Sequence, residues 1–135
     1  MRLFVIGILL VISVSAYSQT QISHDDSLLI GTWKGTSICQ VKSSPCHDEI
    51  AAYHITKAEK PNTYHMLMNK VVDGKEEEMG ITDYSFDAVN KTLTASDNKR
   101  GTIWTFHLKG NTMDGTLVYE NKVYRIMKLS KTDTK

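Results

Sequence analysis

The feature that most constrains this chain is a succession of short strand-like runs joined by turns too tight for anything but hairpins. No segment sustains helical periodicity. Runs rich in Thr, Val, Ile, Tyr and other aromatics alternate instead with turn residues, which is the pattern of a β-meander. Eight strands are predicted, over roughly Leu29–Cys39, Asp48–Thr56, Thr63–Val72, Lys75–Phe86, Lys91–Ser96, Gly101–Leu108, Thr112–Tyr119 and Val123–Leu129. Asp73-Gly74 makes a two-residue hairpin turn because both positions tolerate positive φ, and Gly110-Asn111 makes another. Asp97-Asn98-Lys99-Arg100 and Glu120-Asn121-Lys122 are looser turns, and Pro61-Asn62 closes the second hairpin.

A turn fixes register, and register decides which side chains share a face. About Gly110-Asn111, Trp104 falls opposite Leu117, Phe106 opposite Gly115 and Leu108 opposite Met113, while His107 meets Asp114 on the other face. About Pro61, Tyr53 is expected opposite Met66, and Ala51 opposite Met68. About Asp73-Gly74, Met68 is expected opposite Met79, and Met66 opposite Ile81. One apolar face therefore runs across neighbouring strands. Eight consecutive antiparallel strands with one such face leave unpaired edges unless they close. The prediction is an all-β, eight-stranded antiparallel up-and-down barrel. A two-sheet sandwich is the alternative, but it needs longer connections than most of these.

The beginning of the chain bears on compartment. Met1-Arg2 is followed by the apolar run LFVIGILLVISV, Leu3 to Val14, and then by Ser15-Ala16-Tyr17-Ser18. That order is the order of a secretory signal peptide, with cleavage expected before Gln19. The run is shorter than the about 20 residues a bilayer span requires. The expected organisation is a signal peptide over 1–18, a flexible segment over 19–28, a barrel domain over 29–130 and a tail over 131–135. The location is expected to be secreted or periplasmic, with no membrane insertion after cleavage. The chain has 16 Lys+Arg and 15 Asp+Glu, and loss of Arg2 with the leader balances them. Such neutrality argues against a nucleic acid or anionic membrane partner, both of which need a basic excess. The run Lys75-Glu76-Glu77-Glu78 reads as a solvated strand end.

In an oxidising compartment Cys39 and Cys46 read first as one disulfide closing the loop Gln40–Pro45. The spacing is not that of a C-x-x-C redox motif. His47, Asp48 and Glu49 lie next door, but consecutive strand residues alternate faces and cannot all converge on one metal ion.

Gly31-Thr32-Trp33, a G-x-W on the first strand of an exported meander, resembles the lipocalin/calycin superfamily of small secreted barrels. The closing stretch TFHLKGNTMDGTLVYENKVYRIMKL is similar to the last strands of such domains, so the likeness spans most of the mature chain. The resemblance implies that Trp33 plugs one barrel end and that a basic residue of the last strand packs on it, with Arg125 the matching candidate and Gly31 its structural companion. A two-residue turn at Asn121-Lys122 would put Arg125 outside, opposite Val118. A three-residue turn at Glu120–Lys122 would put it inside with Val123, Met127 and Leu129, and this set is the more apolar. The mature chain is shorter than typical lipocalins and closer to avidin in length. LIGTWKGTS also resembles the first strand of avidin-like proteins, with no biotin-site pattern beyond it.

Catalytic machinery is not predicted. There is no G-x-S-x-G and no Gly-rich phosphate loop, and adjacent Asp48 and Glu49 point to opposite faces. Glu49 shares an alternate set with Ala51 and Tyr53, which places it at a barrel mouth, meeting water or a polar ligand group. His54 and His65 are expected directly opposite each other on the outer face, as solvated histidines or as two ligands of a divalent metal with a third ligand from elsewhere. Met66, Met68, Met79, Met113 and Met127 fall on the inner set, and flexible thioethers suit either an adaptable pocket or an ordinary core. The functional expectation is a non-enzymatic protein, without cofactor or metal, that binds a small apolar molecule inside the barrel. Trp33, Tyr53, Met66 and Met68, with Trp104, Phe106 and Leu117, are expected to line that pocket. The alternative is a solid barrel that meets a protein partner, as an interaction or inhibitor module, through its surface and the disulfide-closed loop.

Overall fold

The computed structural model describes residues 23–42 and 45–132. The expected signal peptide, 1–18, lies outside the described residues, as do 19–22, 43–44 and 133–135. Across the described residues a short helix, α1 (His24–Leu29), precedes eight strands. These are β1 (Gly31–Cys39), β2 (Glu49–Lys57), β3 (Thr63–Val72), β4 (Lys75–Asp87), β5 (Thr92–Asp97), β6 (Thr102–Lys109), β7 (Thr112–Tyr119) and β8 (Lys122–Lys131). They form a closed antiparallel barrel in sequence order, with β8 returning to pair with β1. The predicted architecture is thus the observed one. Closure removes both sheet edges, as the single apolar face required.

The turns adopt the backbone their residues favour. Asp73 and Gly74 take φ of 50° and 77°, and Gly110 takes 58°. The β6–β7 register is as expected: Trp104 pairs with Leu117, Phe106 with Gly115, Leu108 with Met113 and His107 with Asp114.

Three registers differ from expectation. In β2–β3, Tyr53 pairs with Met68, Ala51 with Lys70 and Ile55 with Met66. The turn is longer than Pro61-Asn62, because Ala58 N–H bonds across it to Thr63 O at 3.1 Å. The slip is two residues, so every side chain keeps its face. In β3–β4 a bulge falls between the pairs Asn69–Glu78 and Met68–Gly80, leaving Met79 unopposed. Met66 then pairs with Thr82 rather than Ile81, and Met68 with Gly80 rather than Met79. The extra residue reverses facing beyond it: Ile81 is turned outward, while Met79 keeps the inner side as a half-exposed residue of the cavity rim. In β7–β8 the turn is Glu120-Asn121, both at positive φ, so Tyr119 pairs with Lys122 and Val118 with Val123. A bulge at Tyr124 then restores the Leu117–Arg125 pairing. Arg125 therefore faces inward, as favoured, but Val123 faces outward and the turn has two residues rather than three.

The segment expected to be flexible over 19–28 contains α1. Ser23 caps it: its hydroxyl accepts from Asp26 N–H at 3.1 Å, while the Asp26 carboxylate accepts from Ser23 N–H at 3.3 Å. The domain also runs past 130, since β8 continues to Lys131 and Thr132 N–H bonds to Thr32 O at 2.9 Å.

Helix α1 closes one end of the barrel. Its Leu29 is fully buried, and the Trp33 indole N–H donates to Leu29 O at 2.9 Å. Asp26 accepts from the Tyr64 hydroxyl at 2.6 Å and from Lys57 Nζ at 2.7 Å, and Lys91 reaches Asp25 at 3.5 Å. Above this plug lies a solid layer containing Ile55, Met66, Tyr84, Phe106, Met113 and Met127, each almost wholly buried.

Candidate functional site

The end opposite α1 is open. There the barrel encloses a cavity of about 540 Å³. Alternation places its walls: Ser37 follows Trp33 and Gly35 on the inner set of β1, Tyr53 follows Glu49 and Ala51 on β2, and Arg125 precedes Met127 on β8. Tyr53, Met68, Trp104 and Leu117 are among its apolar lining, with Met79 and Ile81 from β4 and Ala95 from β5.

The predicted pocket residues divide into two groups. Tyr53, Met68, Trp104 and Leu117 are brought together at the cavity, but Trp33, Met66 and Phe106 are not among its lining. These three are sealed beneath it as core. Phe106 acts as the floor joist: the Trp104 ring lies nearly parallel to it at 6.5 Å, and Tyr53 and Tyr84 meet it edge-on at 6.2 and 5.7 Å. Such aromatic contacts fix ring positions beyond what area burial alone supplies. The small cross-strand partner Gly115 leaves room for the Phe106 ring.

A polar group stands on one wall. Arg125 Nη1 donates to Ser37 Oγ at 3.1 Å and to Ser37 O at 3.4 Å. Its Nη2 lies 3.4 Å from Glu49 Oε1, with both side chains mostly buried. The Tyr53 phenol is pushed up to about 12, first by burial and further by the Glu49 charge, while Ser37 and Arg125 work in the opposite direction. Tyr53 therefore remains a neutral hydrogen-bonding phenol through the physiological range. Facing this wall across the mouth, Asp97 and Arg100 pair at 3.6 Å on the β5–β6 turn. Sequence reasoning placed Glu49 at the mouth and favoured an inward Arg125, but did not join them. Ser37 was missed, although its place two residues after Gly35 and four after Trp33 marks it as inward.

No known protein family matches the chain, and no curated protein or solved structure is detectably similar to it. The geometry must therefore speak for itself.

Arg125 does not pack on Trp33, contrary to the expectation drawn from the resemblance. It belongs to the open end. The cation over Trp33 is Lys131, whose Nζ lies 5.7 Å from the ring centroid and donates to Ser27 O and Leu28 O at 2.8 and 3.0 Å. Gly31, at φ 139°, lies against the Lys131 side chain, where an added Cβ would come within 3.1 Å of Cε.

The disulfide Cys39–Cys46 is present and tethers the β1–β2 loop at the rim. The loop is held by Cys39 N–H to Asp48 Oδ1 and by Gln40 N–H to Tyr124 O, both at 2.9 Å. The histidines are not directly opposite: His54 pairs with Leu67, and His65 with Thr56. Each also meets a carboxylate of β4. His54 Nε2 lies 2.6 Å from Glu76, and His65 Nδ1 contacts Asp83. Glu76 is thus engaged rather than simply solvated: it also accepts from Asn69 at 2.8 Å, and the contact with His54 first, with this bond second, holds its carboxyl below the usual range. His107 bonds to Thr92 Oγ1 at 3.3 Å, while Asp114 approaches Lys128 and Lys109 at 3.7 and 3.9 Å. Among the described residues no group of three or more His, Cys, Asp or Glu could hold a metal ion.

Proposed function

We propose that the protein is a lipocalin-like binding protein that takes a small, largely apolar molecule into the open end of its barrel. The observation that carries this reading is the cavity of about 540 Å³, walled by Tyr53, Met68, Trp104 and Leu117, with Ser37, Glu49 and Arg125 clustered on one wall and Asp97 and Arg100 at the mouth. Ligand sites are typically concave, mostly apolar and furnished with a few placed polar groups. An eight-stranded barrel is just wide enough to be filled or to hold one small ligand, and here one half is filled and the other is not. Ser37 hydrogen-bonds Arg125 rather than a histidine, so this wall offers a recognition surface rather than an activated nucleophile. The Cys39–Cys46 bridge and the leader-like first residues support export to a secreted or periplasmic location.

Titration of the delipidated protein with the neutral fluorophore N-phenyl-1-naphthylamine tests the reading. Saturable uptake with energy transfer from tryptophan is expected, and Ala95→Trp, which fills the cavity, should abolish uptake while leaving the unfolding temperature near wild type. No uptake by the wild type would refute it.

A second reading draws on the outer surface beside the disulfide. Ile38 and Ile126 are cross-strand partners there and both are partly exposed, as are Ile103 and Val123 on nearby strands. An apolar surface next to a tethered loop suits a protein partner. Exchange of residues 40–45 for a Gly/Ser loop should then abolish partner recovery from the native envelope or medium without changing fluorophore uptake.

A further inference from the structure

We infer that the cavity selects neutral amphipathic molecules carrying a hydrogen-bond donor, a hydroxyl, amide or amine N–H, and disfavours anionic ones, because Glu49 already occupies the guanidinium of Arg125. This rests on the cavity-binding reading and specifies its ligand class.

Among the described residues four ionised side chains line the cavity, two of each sign: Arg125 with Glu49, and Arg100 with Asp97. The second pair stands in solvent, since the Arg100 side chain is 83% exposed. Its field is screened by water and counterions, and it offers little to a ligand below the rim. The first pair is inside, with Arg125 only 13% and Glu49 18% exposed. Among the described residues Arg125 is thus the one cation in the sheltered part of the lining, where a carboxylate or sulfonate headgroup would have to find its partner.

That partner is taken. The guanidinium donates to Ser37 O, Ser37 Oγ and Glu49 Oε1. A ligand anion would either share it with Glu49, placing two like charges around one cation, or displace Glu49 into a partly buried position without its partner. Both arrangements are costly in a sheltered site. A neutral ligand needs neither. It can lay its apolar body against Trp104, Leu117 and Met68 and donate a hydroxyl, amide or amine proton to the Glu49 carboxylate. The Tyr53 phenol and Ser37 hydroxyl stand beside that carboxylate. Hydrogen bonds to an ionised acceptor are the stronger kind, so the pair that repels an anion provides the recognition point for an alcohol, amide or amine N–H.

Two fluorophores with closely similar ring systems separate the possibilities: neutral N-phenyl-1-naphthylamine and anionic 1-anilinonaphthalene-8-sulfonate, titrated into delipidated full-length protein. The wild type is expected to bind the neutral probe at least about tenfold more tightly, the value of one good charged contact. Glu49→Gln keeps a side chain that can still bond to Arg125 but removes its charge. It should strengthen sulfonate binding by about tenfold while weakening neutral-probe binding, because the ionised acceptor becomes a neutral amide oxygen. Adding Arg125→Met to that variant should erase the gain, which shows that the guanidinium, and not a loosened fold, is responsible. Thermal unfolding of each variant accompanies the titrations. Wild-type protein that takes up both probes alike, or a Glu49→Gln variant without the gain, overturns the selectivity and leaves cavity binding standing. Uptake of neither probe overturns both.

Discussion

The Lys131 ammonium lies 5.7 Å from the centroid of the buried Trp33 indole and, from the same atom, bonds to the carbonyls of Ser27 and Leu28. One side chain therefore ties β8, β1 and the C-terminal turn of α1 into a single lid. A cation at that helix end also meets the negative end of the helix dipole. Trp33→Ala should cost about 3–5 kcal/mol in denaturant melts, chiefly through the cavity it leaves. In a double-mutant cycle with Lys131→Met, coupling of about 0.5–2 kcal/mol is expected. The same cycle run between Trp33 and Arg125 should give coupling near zero, because those residues belong to opposite ends of the barrel.

Asp26 makes the lid sensitive to acid. Its bonds to Lys57 and Tyr64, with Ser23 contributing, hold its carboxyl well below the usual carboxylate range. A folded pKa below the unfolded one gives stability that is fully present above the unfolded value, about 4, and is lost as pH falls through the folded value. Asp26→Asn should thus destabilise the protein by about 2–3 kcal/mol at pH 7. The gap between variant and wild type should narrow only below about pH 4. A gap that stays constant down to pH 2 would show that the carboxylate's charge is not what matters. The partner obeys the opposite sign: Lys57 is raised by Asp26, so its share fades only at strongly alkaline pH.

Gly115 faces Phe106 across β6–β7, and a Cβ built there would overlap the ring at Cδ1 and Cε1 and come within 3.1 Å of Met127 Cε. Gly115→Ala should cost about 1–3 kcal/mol by overpacking. Because Phe106 supports Trp104 and Tyr53, fluorophore affinity should fall as well. Phe106→Leu in the Gly115→Ala background should recover part of the stability, and failure to do so would place the strain elsewhere than the ring.

The Cys39–Cys46 ring is short, and its entropic contribution is about 2.5 kcal/mol in the chain-entropy model. The Cys39→Ser/Cys46→Ser variant should unfold at correspondingly lower denaturant while still taking up neutral fluorophore. Loss of uptake in a folded variant would mean that the loop forms part of the site.

Strand number, meander order and the β6–β7 register were legible because tight turns fix them locally. Gly110-Asn111 leaves little choice about what faces Phe106. The β2–β3 register was not, since Pro61-Asn62 marks a turn without giving its length, and the Ala58–Thr63 closure depends on backbone bonding. Ile81 and Val123 were misread for a related reason: a bulge adds a residue without a turn signature, and alternation counted through it reverses facing. Arg125 came out inward because two departures cancelled, a shorter turn and an unrecognised bulge. Lys131 escaped notice because the strand was ended at Leu129, two residues short of a cation on the same inward set. The cavity itself could not be read. Whether Trp33, Met66 and Phe106 line a space or fill it depends on packing volumes along the barrel axis, which side-chain alternation does not encode.

Closure by β8 onto β1 has a consequence for how the chain reaches this shape. Seven of the eight strand interfaces join sequence neighbours, whereas the last brings Thr132 back to Thr32, 100 positions earlier. During synthesis β1 is among the first strands to emerge and must remain without one partner until almost the whole domain has followed. Until then two strand edges stand open, each a template for another chain. The seam between the first and last strands is therefore where a stalled or shortened chain would be most prone to aggregate. The rim disulfide beside β1 and the Lys131 lid at its other end both bear on the strand that waits longest.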